Sequence, residues 1–299
     1  MIEKIVTTDP TSTEIVYYLD GLKRLKGVSD KCTYPPEVIS LPKVVKTVLP
    51  ITDSLSSREI DEVVREFISK RKVTYELDQE VLEEISPDLI VGQALCSVCA
   101  YAMQTPIIWK KVKSPKKIKV PTVYQHNPLS FINIAESIYK LSKVISRQEK
   151  GERTLMEFRE LERKIMGKGR SRKIAFIEWL DPIHYGGLWV SDLIKLSGSV
   201  PINEGFGRRG DFVELKEFNP DIIIISPCGF SINRTMRELN ALTWRSGWKE
   251  LKAVKRGEVY VVDSRFTASP SYNVSKFAEF LIDVLDGVEV KGDVGIKVT

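Results

Sequence analysis

Short apolar runs alternate with segments of helical periodicity along most of the chain. Residues 5–8, 88–91 and 121–124 are rich in apolar and β-branched side chains and are flanked by polar or turn residues, as buried strands are. Residues 60–68 place apolar side chains at helical spacing, directly after the capping-box sequence Ser56-Ser-Arg-Glu59. This alternation of strand and helix patterns predicts an α/β fold.

The segment after the first predicted strand has the pattern of a polar loop that leads into a short helix. Residues 9–14 are polar, and the apolar helical pattern begins after them. Thr13 and Glu14 would then lie at the helix N-terminus, where free N–H groups favour an anionic ligand group. In the alternative interpretation, Ser12 or Thr11 caps this helix.

Two segments are similar enough to indicate an internal repeat. Residues 84–91 and 217–224 each combine the end of a helix, a Pro-Asp pair and an apolar strand, and each is followed by a loop that contains cysteine. A strand that begins with Lys-Ile precedes each copy, at Lys4 and at Lys173. The repeat favours two similar α/β lobes over one large sheet.

The longest helical pattern lies between the two copies. Apolar residues keep a helical spacing from Phe131 to Ile145, and a second helix is expected from Gln148 to Met166, after the capping-box sequence Ser146-Arg-Gln-Glu149. A rod without a Gly/Ser linker would limit hinge motion. The predicted organisation is an N-terminal α/β lobe, a helical linker with the rod helix, a C-terminal α/β lobe and a tail, at residues 1–127, 128–169, 170–287 and 288–299.

Composition and charge exclude several classes of protein. The 299 residues are 42% hydrophobic and 28% charged with a net charge of +5, which are ordinary globular values. No apolar run is long enough to span a membrane. The lysine-rich residues 110–119 contain no arginine or aromatic residue, so we interpret them as a solvated loop and expect no nucleic-acid partner.

The N-terminal residues show neither a basic n-region nor a long apolar h-region. We therefore expect a cytoplasmic protein, or an extracytoplasmic one if an export signal has been removed. The chain has two histidines and lacks GxSxG, HExxH and P-loop motifs, so we expect a protein that is not an enzyme.

The four cysteines all fall in predicted loops at strand ends. They are Cys32, Cys96, Cys99 and Cys228, of which the middle pair forms a CxxC motif. Three interpretations remain open: a zinc or iron–sulfur site, a CxxC redox pair, or small residues at crowded turns.

Several motifs resemble those of a known family. The segments at residues 10–14, 27–36, 87–90 and 248–263 are similar to the cobalamin/iron-siderophore periplasmic binding proteins, the helical-backbone (class III) substrate-binding proteins. The segments at residues 93–100, 178–182 and 227–230 resemble a branch that lacks an export signal and is often labelled cobalamin-binding. The resemblance runs from about residue 4 to residue 286.

The resemblance implies two Rossmann-like lobes joined by a single long helix, with a ligand cleft between the lobes. It implies a non-enzymatic binding protein for a corrinoid (cobalamin-like) or ferric chelate. Such a protein is the substrate-binding component of an ABC-type uptake system, or an intracellular relative of one. We expect a monomer that is not embedded in the membrane, with an ABC permease as partner. The alternative is an intracellular protein that holds zinc or an iron–sulfur cluster with the four cysteines.

Residues 179–189 carry the chemistry expected of a ligand-binding loop. Their aromatic side chains suit a large amphipathic ligand such as a corrin, and Gly186-Gly187 would let the backbone approach it closely. His184 could ligate cobalt or iron through its neutral imidazole, or it could be solvated. The predicted ligand-binding residues are Thr13, Glu14, Tyr34, Gln93, Trp179, Asp181, His184, Tyr185, Trp189 and Phe230.

Overall fold

The computed structural model describes residues 2–70, 73–93, 95, 121–290 and 292–298. The chain divides into two compact units. Unit 1 consists of Met1–Ile51, Glu62–Asn127 and Ala135–Leu155, and unit 2 consists of Thr52–Asp61, Pro128–Ile134 and Met156–Thr299. Each unit has its own sheet, so the predicted two-lobed α/β class is confirmed.

The described part of unit 1 contains a six-stranded sheet. Its strands are β1 (Ile5–Thr7), β2 (Leu25–Ser29), β3 (Lys43–Thr47), β4 (Tyr75–Leu77), β5 (Leu89–Gly92) and β6 (Thr122–Gln125). They lie in the order β4-β3-β2-β1-β5-β6, and they run parallel except for the antiparallel pair β3–β4. The central strands β1 and β5 are fully buried, as expected of a parallel sheet covered on both faces.

Among the described residues, five α-helices lie before Lys173, and the last two are the longest of them. They are α1 (Pro10–Tyr18), α2 (Ser57–Ser69), α3 (Gln79–Ile85), α4 (Phe131–Val144) and α5 (Gln148–Ile165). The capping box at α2 is confirmed, because the Ser56 N–H donates to the Glu59 carboxylate at 2.7 Å. The predicted rod helix is α5, which ends one residue earlier than expected.

Helix α1 begins earlier than the sequence pattern indicates. Asp9 is its N-cap, and its carboxylate accepts the Ser12 N–H at 2.9 Å. Pro10 fits the first helical position, because proline fixes φ and needs no hydrogen-bond acceptor there. The polar residues 10–14 are therefore helical, and neither Ser12 nor Thr11 is the cap.

The described part of unit 2 contains a seven-stranded sheet in the order β10-β8-β7-β11-β12-β13, with β9 paired to β7. These strands are β7 (Lys173–Trp179), β8 (His184–Tyr185), β9 (Val200–Pro201), β10 (Arg208–Arg209), β11 (Ile222–Ile225), β12 (Val259–Val262) and β13 (Gly295–Lys297). The helices are α6 (Leu188–Leu196), α7 (Phe212–Phe218), α8 (Ile232–Glu238), α9 (Asn240–Thr243), α10 (Lys252–Lys255) and α11 (Val274–Asp286). Strands β7, β11 and β12 are parallel neighbours, and β13 joins β12 antiparallel.

The internal repeat corresponds to the same hydrogen bond in both units. In unit 1, the Asp88 carboxylate accepts the backbone N–H of Lys4 at 3.1 Å, just before β1. In unit 2, the Asp221 carboxylate accepts the backbone N–H of Lys173 at 2.9 Å, at the start of β7. The aspartate of each Pro-Asp pair thus fixes the start of the neighbouring parallel strand, which explains why the two motifs recur together.

Candidate functional site

Two aromatic rings and a guanidinium group form one cluster near the carboxyl ends of β7 and β11. Trp179 is the last residue of β7, and its ring centre lies 5.3 Å from that of Phe230. The guanidinium of Arg234 lies over the Phe230 ring, 4.3 Å from its centre. We call these three residues the Trp–Arg wall. It lies where α/β sheets usually bind their ligands.

Arg234 is held in place by its own helix. Ser231 caps α8 by accepting the Arg234 N–H at 3.3 Å. One helical turn later, Glu238 accepts hydrogen bonds from the Arg234 guanidinium at 3.2 Å. The Arg234 side chain is only 12% exposed, so this charge–charge contact is stronger than an ordinary surface pair.

A segment from the N-terminal half of the sequence contacts the wall. We call residues 53–61 the strap, and they belong to unit 2. The Trp179 indole N–H donates to the Ser57 carbonyl at 3.1 Å, and Arg234 donates to the Leu55 carbonyl. The Ser57 N–H in turn donates to the Glu238 carboxylate at 2.7 Å. The strap therefore satisfies both polar donors of the wall.

An ion pair between Arg58 and Asp181 also fixes the strap. Arg58 contacts the Asp181 carboxylate at 2.7 Å, and Asp181 also accepts from Arg245 at 3.4 Å. Asp181 was predicted to bind ligand, and the structure places it between these two guanidinium groups. Its charge is already balanced by arginines of unit 2.

His184 is half-buried in β8 and lies near the end of the strap. Its Nε2 is 3.9 Å from the Asp61 carboxylate. Burial lowers the pKa of His184, although the Asp61 charge opposes this shift and Arg209 adds to it. The imidazole is therefore neutral at pH 7, the form that can ligate a metal.

Two other predicted residues lie in the core of unit 2. Tyr185 is fully buried, and its hydroxyl donates to the Asp211 carbonyl at 2.7 Å. Trp189 is also buried, and its indole N–H donates to the Thr267 carbonyl at 2.7 Å. Both residues combine a buried apolar ring with a satisfied polar atom, so they contribute to the packing of the unit.

The residues predicted in unit 1 are mostly buried around Asp9. Thr13 is fully buried, and its hydroxyl lies 2.6 Å from that of Thr7 and 3.1 Å from the sulfur of Cys32. The Asp9 carboxylate accepts the Ser12 N–H at the N-terminus of α1, so one of the N–H groups expected to bind an anion already has an acceptor. Burial raises the pKa of Asp9, because the charged form of this carboxyl is costly to enclose.

Three predicted residues of unit 1 differ in their exposure. Glu14 and Gln93 are buried, and the Gln93 backbone N–H contributes a hydrogen bond to Asp9. Tyr34 is 40% exposed, with its ring edge-on to Tyr17 at 5.6 Å between ring centres. Of these three, Tyr34 offers an accessible aromatic surface.

The cysteines do not form a recognisable metal centre in the described residues. Cys32 belongs to unit 1 and Cys228 to unit 2, whereas Cys96 and Cys99 lie outside the described residues. Burial raises the pKa of the Cys32 thiol to about 12, which disfavours the thiolate that zinc or iron requires. Within the described ranges, no group of three or more His, Cys, Asp or Glu side chains could hold a metal ion.

Sequence reasoning missed Arg234, Glu238 and the strap. The four-residue spacing of Arg234 and Glu238, on a helix directly after the loop that follows β11, is a pattern that could have indicated a fixed guanidinium. Nothing in the local sequence links Ser57 to Trp179, because that contact joins residues 122 positions apart.

Comparisons with known proteins agree with this architecture. The family model described as periplasmic binding protein matches residues 5–266. Curated protein sequences give no significant match. In the described part of the chain, no helix has the length and apolar character needed to cross a membrane.

Solved structures with the same fold cover nearly the whole chain. The vitamin B12 binding protein BtuF of Vibrio cholerae is 19% identical with a TM-score of 0.67, over 95% of this chain and 97% of that one. A periplasmic heme-binding protein of Pseudomonas aeruginosa is 14% identical with a TM-score of 0.69, over 100% and 99%. A possible iron-binding protein of Staphylococcus epidermidis is 18% identical with a TM-score of 0.64, over 95% and 98%. The family model matches residues 5–266, which is most of the chain, and the solved structures share its fold. The chain therefore belongs to the periplasmic binding protein family.

Proposed function

We propose that this protein is the solute-binding component of an ABC-type uptake system and that its solute is a corrinoid or an iron chelate. The family match over residues 5–266 supports the role in solute binding, because this family consists of binding proteins and not of enzymes. Proteins of this family are normally extracytoplasmic, and the cytoplasmic location expected from the N-terminal sequence has no support.

The observation that supports this solute class is the Trp–Arg wall. Trp179 supplies a partly exposed ring that packs on the buried ring of Phe230, and Arg234 supplies a positive charge fixed against Phe230. A macrocyclic chelate has a large apolar body with amide or carboxylate groups at its edge, which matches this combination. Structural neighbours that bind vitamin B12 and heme are consistent with the same class.

His184 could add a metal-directed contact. Its neutral imidazole lies in β8, which pairs with β7 next to Trp179. We include it in the proposed site as a ligand for the chelated metal.

Direct titration tests the proposal. Cyanocobalamin, haemin and ferrichrome would each be added to the purified protein, and binding would be measured by calorimetry and by quenching of tryptophan fluorescence. We expect one of them to bind and Trp179→Ala to weaken that binding about tenfold, as loss of a central aromatic contact does. Trp244→Ala is the matched control, because that tryptophan is 83% exposed and lies outside the wall.

Two results would contradict the proposal. If none of the three compounds binds, the solute belongs to another chemical class. If Trp179→Ala and Trp244→Ala bind equally well, the Trp–Arg wall does not contact the solute.

A further inference from the structure

We infer that the Trp179 indole N–H and the Arg234 guanidinium select the acceptor groups of the solute, and that the strap occupies both donors in the free protein. The inference rests on the proposed function, which it deepens by naming the polar recognition groups. It follows from the way in which the strap satisfies the wall.

The strap binds the wall through two backbone carbonyl oxygens. Those of Leu55 and Ser57 accept from Arg234 and Trp179, respectively. Both acceptors are backbone oxygens, and the strap also places the Asp53 carboxylate 3.7 Å from the Arg234 guanidinium and donates the Ser57 N–H to Glu238. An amide or carboxylate oxygen of a solute has the same acceptor chemistry and can replace the two backbone oxygens.

The contacts that hold the strap are mostly polar, and most residues of the strap are exposed or half-buried. Among residues 53–61, only Ser57 and Ile60 are buried. The ion pair between Arg58 and Asp181 involves an arginine side chain that is 64% exposed, and pairs of this kind contribute little to stability. Release of the strap therefore uncovers little apolar surface, so a solute can displace it at low cost.

The wall stays in place when the strap leaves. Arg234 keeps its hydrogen bonds to Glu238 and its contact with the Phe230 ring, all within the short segment 230–238. Asp181 keeps Arg245 after it loses Arg58. Two donors therefore become available on a preformed surface, where a bound acceptor needs no rearrangement of the protein.

Charge determines which acceptors are preferred. Arg234 always carries its positive charge, and its guanidinium has further N–H groups besides the two that donate to Glu238. The Trp179 N–H is a neutral donor at the same surface. We therefore assign carboxylate or amide side groups at the edge of the chelate to this donor pair.

The test weakens the strap without changing either donor. Arg58→Ala removes the ion pair with Asp181, and Lys70→Ala is the matched control because it removes an exposed ion pair, with Glu66, at the other end of the same helical region. Haemin, cyanocobalamin and ferrichrome are the probes. We expect Arg58→Ala to bind the active probe about two- to fivefold more tightly than the wild type, and Lys70→Ala to be unchanged.

Hydrogen–deuterium exchange supplies the second readout. In the wild-type protein, we expect the bound probe to increase exchange in peptides that cover residues 53–61, because the strap has been displaced. Thermal unfolding of each variant would show that the fold is intact.

The outcomes separate this inference from the proposed function. If a probe binds and exchange at residues 53–61 stays the same or decreases, the strap is not displaced: the inference is wrong and the proposed function stands. The same conclusion follows if Arg58→Ala and Lys70→Ala bind equally well. If none of the three probes binds the wild type or Arg58→Ala, the proposed solute class fails and the inference fails with it.

Discussion

The guanidinium of Arg234 lies 4.3 Å from the centre of the Phe230 ring, and these two residues are only four positions apart at the beginning of α8. A buried ring thus supports a nearly buried charge. Because the face of an aromatic ring is electron-rich, it attracts a cation that has lost part of its water. Phe230 thus helps to orient the Arg234 guanidinium and its hydrogen bonds. We therefore expect replacement of Phe230 to affect both stability and binding.

Phe230→Ala should destabilise the protein strongly. Phe230 is 4% exposed and contacts Trp179 and Arg234, so removal of its ring leaves a cavity between these two side chains. We expect a loss of about 3–5 kcal/mol in the free energy of unfolding, measured by urea denaturation. Phe206→Ala is the control, because that ring is 62% exposed, and we expect it to change stability by less than about 0.5 kcal/mol. Equal effects would show that Phe230 has no packing role.

Trp189→Phe tests the assignment of this residue to the core. The substitution keeps most of the ring but removes the N–H that donates to the Thr267 carbonyl at 2.7 Å. A buried carbonyl without its partner should lower the free energy of unfolding by about 1–3 kcal/mol. Trp244→Phe provides the comparison, since the side chain is exposed and we expect no measurable change. If Trp189→Phe weakened solute binding without loss of stability, Trp189 would be a ligand contact after all.

The repeated Pro-Asp motifs show why much of the fold could be predicted from sequence. Each motif joins local features: a helix end, a rigid turn and an apolar strand. Ser86 and Asn219 both end their helices in the left-handed region, with φ of 48° and 46°. These local features determine β5 and β11, and the parallel partners of the two strands follow from the same repeat.

The site was less predictable because it depends on contacts between distant residues. Trp179 was identified from its position after a strand, but its partner Ser57 lies 122 positions away. Tyr185 and Trp189 share the same aromatic pattern with Trp179, and composition alone does not distinguish a core ring from a surface ring. The N-terminus of α1 was misplaced because Asp9 was assigned to a loop, although it is followed by proline, as a helix cap often is.

His184 should titrate below the ordinary histidine range. Burial lowers its pKa, whereas the Asp61 carboxylate at 3.9 Å opposes this shift. Asp61→Asn should therefore lower the pKa further, and Arg209→Gln should raise it. The chain has only two histidines, so their imidazole signals can be followed individually by NMR. A pKa that is unaffected by Asp61→Asn would show that the two groups do not interact.

The same shift predicts a dependence of stability on pH. The unfolded chain protonates His184 near its ordinary pKa of 6.5, whereas the folded protein does so at a lower pH. The contribution of the neutral imidazole is therefore complete above pH 6.5 and is lost as the pH falls through the folded-state pKa. His184→Gln should reduce this loss of stability in acid, measured as the change in Tm with pH. An unchanged profile would contradict the prediction.

Cys32 should resist alkylation in the folded protein. Its thiol is buried, and burial raises its pKa to about 12, so almost none is present as thiolate at pH 8. We expect iodoacetamide to modify Cys32 much more slowly in buffer than in denaturant, as measured by mass spectrometry of the peptide that contains it. Rapid modification in buffer would show that Cys32 is an accessible thiolate and would reopen the interpretation of the cysteines as metal ligands.

The position of the strap in the sequence has a consequence for synthesis. Residues 52–61 belong to unit 2, although the rest of that unit comes from residues 128–134 and 156–299. A ribosome therefore completes the strap before it makes Trp179 or Arg234, because synthesis proceeds from the N-terminus. When these donors emerge, their backbone acceptors already exist in the same chain. The donors of the newly made wall can thus bind the strap carbonyl oxygens before any other acceptor reaches them.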